Sequence, residues 1–280
     1  MIEPEGLLVL PGTEPRAAFL VLGGSSGRVE TERARVLASH GVAALAMKWF
    51  GGPNQPRTPR EVALESFVPA LDRLDAISDR LGVLGTSFGA EAGLLLGLFD
   101  KRIDVVAALA PTSAVWATPD LDTAGRPVRA PKWTWRGDPL PYVPYVDQTS
   151  WEGRELRTAR DIHEASIRMY ADRVPEATIP VELITADVLL AAGGDDKVWQ
   201  ADTFAEQIRS RRAEAGLPTV VVHDAKAGHR AILPGESPPP PRPDLARGGD
   251  PAANRAHGRH VLDALLALLP LSTYGVPSLD

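Results

Sequence analysis

Four residues of this 280-residue chain combine reactive side chains with glycine neighbours: a serine, a histidine and two adjacent aspartates. The segment Gly82-Val83-Leu84-Gly85-Thr86-Ser87-Phe88-Gly89-Ala90-Glu91 holds G-x-S-x-G between a run that reads as a strand and one that reads as a helix. Glycines two positions either side of the serine suit a strand-to-helix turn so tight that side chains would clash there. The strain of such a turn lifts the hydroxyl out at the carboxyl end of a sheet, which makes Ser87 the candidate nucleophile. A serine hydroxyl is too weakly acidic to attack a carbonyl unaided, so it needs a base within hydrogen-bond reach and a carboxylate to orient that base.

Both are expected later in the chain, on loops after further strands. Ala227-Gly228-His229-Arg230 offers the base, and Gly193-Gly194-Asp195-Asp196-Lys197-Val198-Trp199 the acid. His229 lies just past the last expected strand, with a glycine to permit the turn. The other histidines fit less well: His40 follows a helix, His163 falls in an irregular stretch, His223 is on a strand, and His257 and His260 sit in the terminal helix. By spacing alone either Asp195 or Asp196 can serve, since one of them can instead cap the helix that follows. A metal site built from His223, Asp224 and His229 has no supporting ligand spacing. Backbone donors for an oxyanion are expected from Phe88 N–H and from the turn Gly23-Gly24-Ser25-Ser26-Gly27, with Ser25 preferred and Gly24 close behind. That turn lacks the lysine of a phosphate-cradling loop.

The elements that must position these groups alternate. Apolar runs at Ala17–Leu22, Val42–Met47, Leu81–Leu84, Ile103–Ala110, Val188–Ala192 and Thr219–His223 read as strands. Between them lie segments of helical period, around Thr31–Ser39, Glu61–Ser78 (divided by Pro69), Trp199–Arg212 and a terminal helix with Val261, Leu265, Leu268 and Leu269 in one stripe. This is the pattern of a parallel sheet flanked by helices, an α/β fold. Periodicity fails from Pro111 to Asp187, an aromatic segment holding Trp116, Trp133, Trp135, Tyr142, Tyr145 and Trp151. The proline-rich stretch Gly235–Pro251 reads as an extended or poorly ordered surface loop.

Composition excludes several classes. With 44% hydrophobic residues the chain is globular, and a net charge of −6 argues against a nucleic-acid partner. The absence of cysteine rules out disulfides, thiolate metal sites and a cysteine nucleophile. Met1–Leu10 lacks a basic region before a long apolar core, so a cytoplasmic protein is expected; Leu81–Phe99 is too interrupted by glycine and polar residues for a membrane span.

Taken together, these residues resemble the catalytic carboxyl-terminal domain shared by acyl-CoA thioesterases and bile acid-CoA:amino acid N-acyltransferases, within the α/β-hydrolase superfamily. The likeness extends beyond the serine motif to Gly23–Gly27, Ala44-Leu45-Ala46-Met47-Lys48-Trp49-Phe50-Gly51, Leu64-Glu65-Ser66-Phe67-Val68-Pro69-Ala70, Ile179-Pro180-Val181-Glu182, Gly193–Trp199, Ala227-Gly228-His229 and Gly248–Asn254. It implies an α/β-hydrolase fold over residues 1–280, with a mostly parallel central sheet flanked by helices and a loop-rich cap inserted at 111–187. It also implies that Asp196 rather than Asp195 completes a triad with Ser87 and His229. With about twenty residues before the first matching strand, the chain is expected to be the catalytic domain alone, without the amino-terminal β-sandwich of the animal enzymes. The transferases typically use cysteine, so Ser87 favours hydrolysis.

The expected function is therefore hydrolysis of a small-molecule acyl thioester through an acyl-enzyme, with no cofactor and no metal. Trp116, Trp133, Trp135, Tyr142 and Tyr145 are expected to wall an acyl pocket, unless they only join the insertion to the sheet. Arg126, Arg129, Lys132 and Arg136 are candidates to meet the phosphates of a coenzyme A carrier. A carboxylesterase or dienelactone-hydrolase-like enzyme, an acyltransferase to an amine or alcohol, and a binding scaffold on an inactive hydrolase are the alternatives.

Overall fold

The computed structural model describes residues 5–269 except Arg154 and Asp244. Its centre is a sheet of seven strands: β1 (Gly6–Val9), β2 (Ala17–Leu22), β3 (Val42–Met47), β4 (Leu81–Thr86), β5 (Ile103–Leu109), β6 (Asp187–Gly193) and β7 (Thr219–Asp224). Their order is β1-β3-β2-β4-β5-β6-β7, all parallel except β1, which pairs antiparallel with β3. β1 is an addition to the expected set, because four residues give too short a run to read as a strand without its partner. The longer helices are α1 (Thr31–Ser39), α2 (Val68–Asp75), α3 (Phe88–Phe99), α4 (Ala159–Met169), α5 (Ala201–Glu214) and α6 (Pro251–Ala267). This is the expected α/β-hydrolase architecture, a mostly parallel sheet flanked by helices.

The central strands are apolar throughout because helices cover both faces. Ala17, Phe19 and Val21 of β2 pack into the layer with α1 and α6, while Ala18, Leu20 and Leu22 pack against α2, α3 and α5. Pro69 divides its segment as expected: Leu64–Phe67 forms a single 3-10 turn, and α2 restarts with the proline in its first turn, where no intrahelical donor is lost. The chain leaves β2 for β3 on one side and returns to β4 on the other. The loops after β2 and β4 therefore flank a topological switch point, where sheets of this kind bind ligands.

The 111–187 segment is more ordered than its sequence suggests. Trp133–Trp135 pairs with Val62–Ala63 and with Asp138–Pro139 in a second small sheet. Helix α4 opens with a capping box, Thr158 accepting from Asp161 N–H while the Asp161 carboxylate accepts from Thr158 N–H. Its buried face is His163, Ala165 and Ser166 rather than an aliphatic stripe, so hydrophobic period alone does not disclose it. Among the described residues no helix is long and apolar enough to cross a membrane.

A buried ion pair anchors this segment to the sheet. Glu91, on α3, accepts from Lys132 Nζ at 2.7 Å, Trp133 Nε1 at 2.8 Å and the Trp116 backbone N–H at 3.1 Å. Both charged side chains are fully enclosed, and Lys132 Nζ also sits 3.3 Å from the centre of the Phe88 ring. Burial pushes the Glu91 carboxyl up and the Lys132 ammonium down to about 8, while their mutual attraction opposes both. Lys132→Met strands a buried carboxylate and is expected to lower stability by about 3–5 kcal/mol in urea unfolding. Glu91→Gln combined with Lys132→Met keeps an acceptor for both tryptophans and should recover at least half of that loss. A double variant as unstable as Lys132→Met would show that the charge balance does not hold the segment.

Candidate active site

Ser87 sits between β4 and α3 with φ 60° and ψ −121°, a left-handed conformation that a residue with a Cβ adopts only under constraint. Its N–H donates to Leu109 O at 2.9 Å, and its carbonyl accepts from Ala90 N–H at 2.8 Å and Glu91 N–H at 3.1 Å. Glycines are required around it because backbones meet. A Cβ on Gly85 would overlap the Gly89 carbonyl, a Cβ on Gly89 would overlap the carbonyls of Leu22 and Gly23, and a Cβ on Gly24 would come 2.9 Å from Ser87 Cβ. Thr86, just before the serine, accepts from Arg33 Nη1 at 2.6 Å. The Arg33 Nε and Nη2 grip Glu236 at 2.6 and 2.8 Å, and Nη2 also donates to Ala231 O at 3.0 Å. One buried guanidinium thus ties the serine turn to the loop after His229. Nothing in α1 marks Arg33 for this role, because its partners lie about 50 and 200 residues away in sequence.

His229 Nδ1 lies 2.7 Å from Asp196 Oδ2, and the other carboxylate oxygen accepts from Val198 N–H at 2.7 Å and Trp199 N–H at 3.2 Å. Asp196 is fully buried. Asp195 points elsewhere: it pairs with Lys197 at 2.6 Å and accepts from Gly249 N–H at 2.8 Å. The Lys197 hydrogen bond and that of Gly249 hold its carboxyl below the usual range. Of the two aspartates that spacing leaves open, Asp196 is the one in contact with His229. The two loops interlock through glycine, since a Cβ on Gly193 would overlap the carbonyls of Ala227 and Gly228, and one on Gly228 would overlap Gly248. His229 N–H donates to Arg247 O at 2.9 Å. Four of the other five histidines sit on other elements, and His163 lines a cavity beside Ser87. His40 contacts Val36 O, His223 is on the edge strand β7, and His257 and His260 are on α6.

Ser87 borders two cavities. The smaller, about 50 Å³, is lined by Gly24, Ser25, Ser87, Val198 and His229 and rimmed by Arg28, Glu30, Arg230, Arg242 and Arg247. The larger, about 260 Å³, is bounded by Ser25, Ser87 and Phe88, by Pro119, Asp120, Leu121, Pro127, Tyr145 and Gln148, and by Ala159, Ile162, His163, Val198 and Leu245. Phe88 is the first residue of α3, where the N–H has no acceptor within the helix, so it is placed to donate beside Ser87. Glu30 receives both Arg230 Nη groups, the Nη1 contact at 3.0 Å. Burial alone would raise its carboxyl, but the Arg230 charge and hydrogen bonds reverse this and hold it at about 2.

Several expected site residues lie elsewhere. Of the five aromatics expected around an acyl group, Tyr145 lines the larger cavity, whereas Trp116, Trp133, Trp135 and Tyr142 line neither. Trp133 stacks on Trp49 with ring centres 4.9 Å apart, Trp135 stacks on Phe99 at 4.5 Å, and Trp116 donates its Nε1 to Thr112 Oγ1 at 2.9 Å. Tyr142 packs against the core. These rings fasten the insertion to the sheet. The proposed phosphate cluster also dissolves: Lys132 is buried against Glu91, Arg126 pairs with Asp122, Arg129 donates to Tyr170 Oη and lies against its ring, and Arg136 lies against Trp135. The cationic side chains near Ser87 are instead Arg28, Arg230, Arg242 and Arg247. Two of these come from the proline-rich stretch expected to be a surface loop, which forms a wall of the site through Pro239, Arg242, Leu245 and Arg247.

The chain is similar to known proteins in both sequence and fold. Residues 64–239 match the family model described as BAAT / Acyl-CoA thioester hydrolase C terminal. Acyl-coenzyme A thioesterase 1 of Mus musculus is 25% identical over 230 residues, covering 80% of this chain and 50% of that protein. Acyl-coenzyme A amino acid N-acyltransferase 2 of Mus musculus is 37% identical over 101 residues, 35% of this chain and 24% of that protein. The chain thus spans about half the length, or less, of these relatives. Among solved structures, a dienelactone hydrolase-like promiscuous phosphotriesterase from metagenomic libraries superposes with a TM-score of 0.55 at 18% identity, covering 94% of this chain and 92% of that one. A monoacylglycerol lipase of Paleococcus ferrophilus gives a TM-score of 0.55 at 15% identity, covering 94% and 99%. The structural likeness establishes the fold, and the family match covers well over half of the sequence: the chain belongs to the BAAT / acyl-CoA thioester hydrolase C-terminal family.

Proposed function

We propose that the protein is a serine hydrolase that cleaves an acyl thioester of coenzyme A type, with Ser87 as nucleophile, His229 as general base and Asp196 as its orienting carboxylate. The observation that carries this reading is the 2.7 Å contact between His229 Nδ1 and buried Asp196, with His229 and the left-handed Ser87 lining one cavity. A carboxylate at Nδ1 holds the proton there, which leaves Nε2 free to accept the Ser87 proton. The Ser87 oxygen then attacks the thioester carbonyl, and the developing oxyanion takes hydrogen bonds from the N–H of Phe88 and from the Gly24-Ser25 turn. The C–S bond breaks and the thiolate leaves with the proton from His229. Water, deprotonated by His229, attacks the acyl-enzyme and releases the acid and Ser87.

The two cavities suit the two halves of such a substrate. The larger has mostly apolar walls for an acyl chain, and the smaller opens among arginines suited to the phosphates of the carrier. On this reading the 111–187 segment acts as a cap, contributing Pro119, Leu121, Pro127, Tyr145, Ala159, Ile162 and His163 to the acyl side.

Thiol release from a series of acyl-CoAs tests the assignment. Ser87→Ala should abolish it with the fold intact. Asp196→Asn should lower kcat by about 10⁴-fold, while Asp195→Asn stays within a few-fold of wild type. Equal losses from the two aspartates, or turnover by Ser87→Ala, would remove the proposed triad. Added glycine or taurine should leave the rate unchanged and form no amide; amide formation would make the protein an acyltransferase. No release from any thioester, with oxygen esters cleaved, would make it an esterase.

The carrier reading has its own test. Arg28→Ala should raise KM for a CoA thioester by about tenfold through loss of a charge-assisted contact, and leave the N-acetylcysteamine thioester of the same acid unaffected. Equal effects on both substrates would place the phosphates elsewhere.

A further inference from the structure

The acyl cavity is not uniformly apolar. Tyr145 Oη and His163 Nε2 lie 3.5 Å apart, and both residues line the cavity that Ser87 borders. His163 comes from α4, its ring edge-on to Trp116 at 4.5 Å and to Trp199 at 5.4 Å; Trp199 is in turn 5.4 Å from the His229 ring. The polar pair therefore stands one indole away from the proposed catalytic histidine.

The hydrogen-bonding state of the pair follows from its neighbours. His163 Nδ1 is 2.7 Å from the Ala159 carbonyl, which can only accept, so Nδ1 carries the proton. Burial lowers the His163 pKa to about 4 against the pull of the Ala159 and Val198 backbone, which leaves the ring neutral at neutral pH with Nε2 facing the Tyr145 phenol. Burial raises the Tyr145 phenol well above its usual value, so it keeps its proton and remains a donor. At 3.5 Å their own contact is at the long limit for a hydrogen bond. A hydroxyl presented from the cavity beside the pair would donate to Nε2 and accept from the phenol, in place of their long mutual contact. Neither group carries a charge to attract a carboxylate, and a plain methylene there would leave two buried polar groups poorly paired.

We propose that Tyr145 and His163 form a specificity subsite for an acyl group bearing a hydroxyl on its chain. The subsite rests on the thioester hydrolase reading for the reaction, but concerns only the acyl half of the substrate. A site that hydrogen-bonds a substrate hydroxyl discriminates against the analogue lacking it more strongly than an apolar pocket discriminates chain length.

The test uses hexanoyl and octanoyl groups with the hydroxyl moved carbon by carbon, each as a CoA thioester, a p-nitrophenyl ester and the free acid. Thiol and nitrophenol release give kcat/KM, and calorimetry gives the affinity of the acids. One hydroxyl position is expected to be preferred about 10- to 100-fold over the unsubstituted chain. Tyr145→Phe, which keeps the ring stacked on Trp116, should lower kcat/KM for the preferred hydroxylated chain about tenfold more than for the unsubstituted one. A merely structural role would lower both substrates together. No preferred position in any of the three series, or a preference that survives Tyr145→Phe, would overturn the subsite. Hydroxyl preference with esters and acids but no cleavage of any thioester would overturn the thioester reading alone and leave the subsite standing.

Discussion

The geometry at Ser87 depends on a close approach of backbones that only glycine permits. The left-handed serine is held because Gly85 and Gly89 let the strand and helix meet, and because Gly89 and Gly24 let the loop after β2 press against both. That approach brings the Gly24-Ser25 turn close to Ser87 and the start of α3, where the proposed oxyanion donors lie. The same device recurs on the other side of the site. Gly193, Gly228 and Gly248 allow the loops after β6 and β7 and the segment before α6 to interlock, and this contact delivers Asp196 to His229. A side chain at any of these positions would push apart elements whose separation sets the site.

Buried charges then lock what the glycines allow. Arg33 joins the serine turn to residues 231–236, and Glu91, one helical turn after Ser87, gathers Lys132, Trp133 and Trp116 from the insertion. Arg212 does the same where the insertion returns to the sheet, its Nη groups donating to the carbonyls of Val181, Ile184 and Ala186 at 2.6–3.0 Å. Each is a charge-assisted, directional contact with nearly all its donors used, so an alternative packing would strand a charge in the interior. The insertion is thereby fastened to the sheet.

Much of the core architecture was legible in the sequence because strands buried on both faces leave continuous apolar runs and the helices between them keep a 3.6-residue period. The serine turn was legible for a related reason: a tight strand-to-helix turn needs glycine at fixed offsets, and a fixed offset is visible along one chain. The histidine could be placed because loops after later strands of a parallel sheet end at the same edge. Resemblance to a family, not spacing, distinguished Asp196 from Asp195, and the structure shows why spacing was silent, since adjacent residues on one loop point to different partners.

The walls of the site required the tertiary structure. Trp116, Trp133 and Trp135 have the composition of a binding pocket, yet their rings are taken up by Thr112, Trp49 and Phe99, contacts that no local pattern announces. Tyr145, His163, Arg28 and Arg242 reach the site from segments scattered through the chain, one of them a proline-rich stretch without periodicity. The sequence by itself determined the α/β order and the turns that carry the reactive groups, because both are set by contacts between residues close in the chain or by burial within one strand. Which side chains line the cavities at Ser87 was decided only by how separate segments pack together, where the winning partner depends on shape and charge in three dimensions.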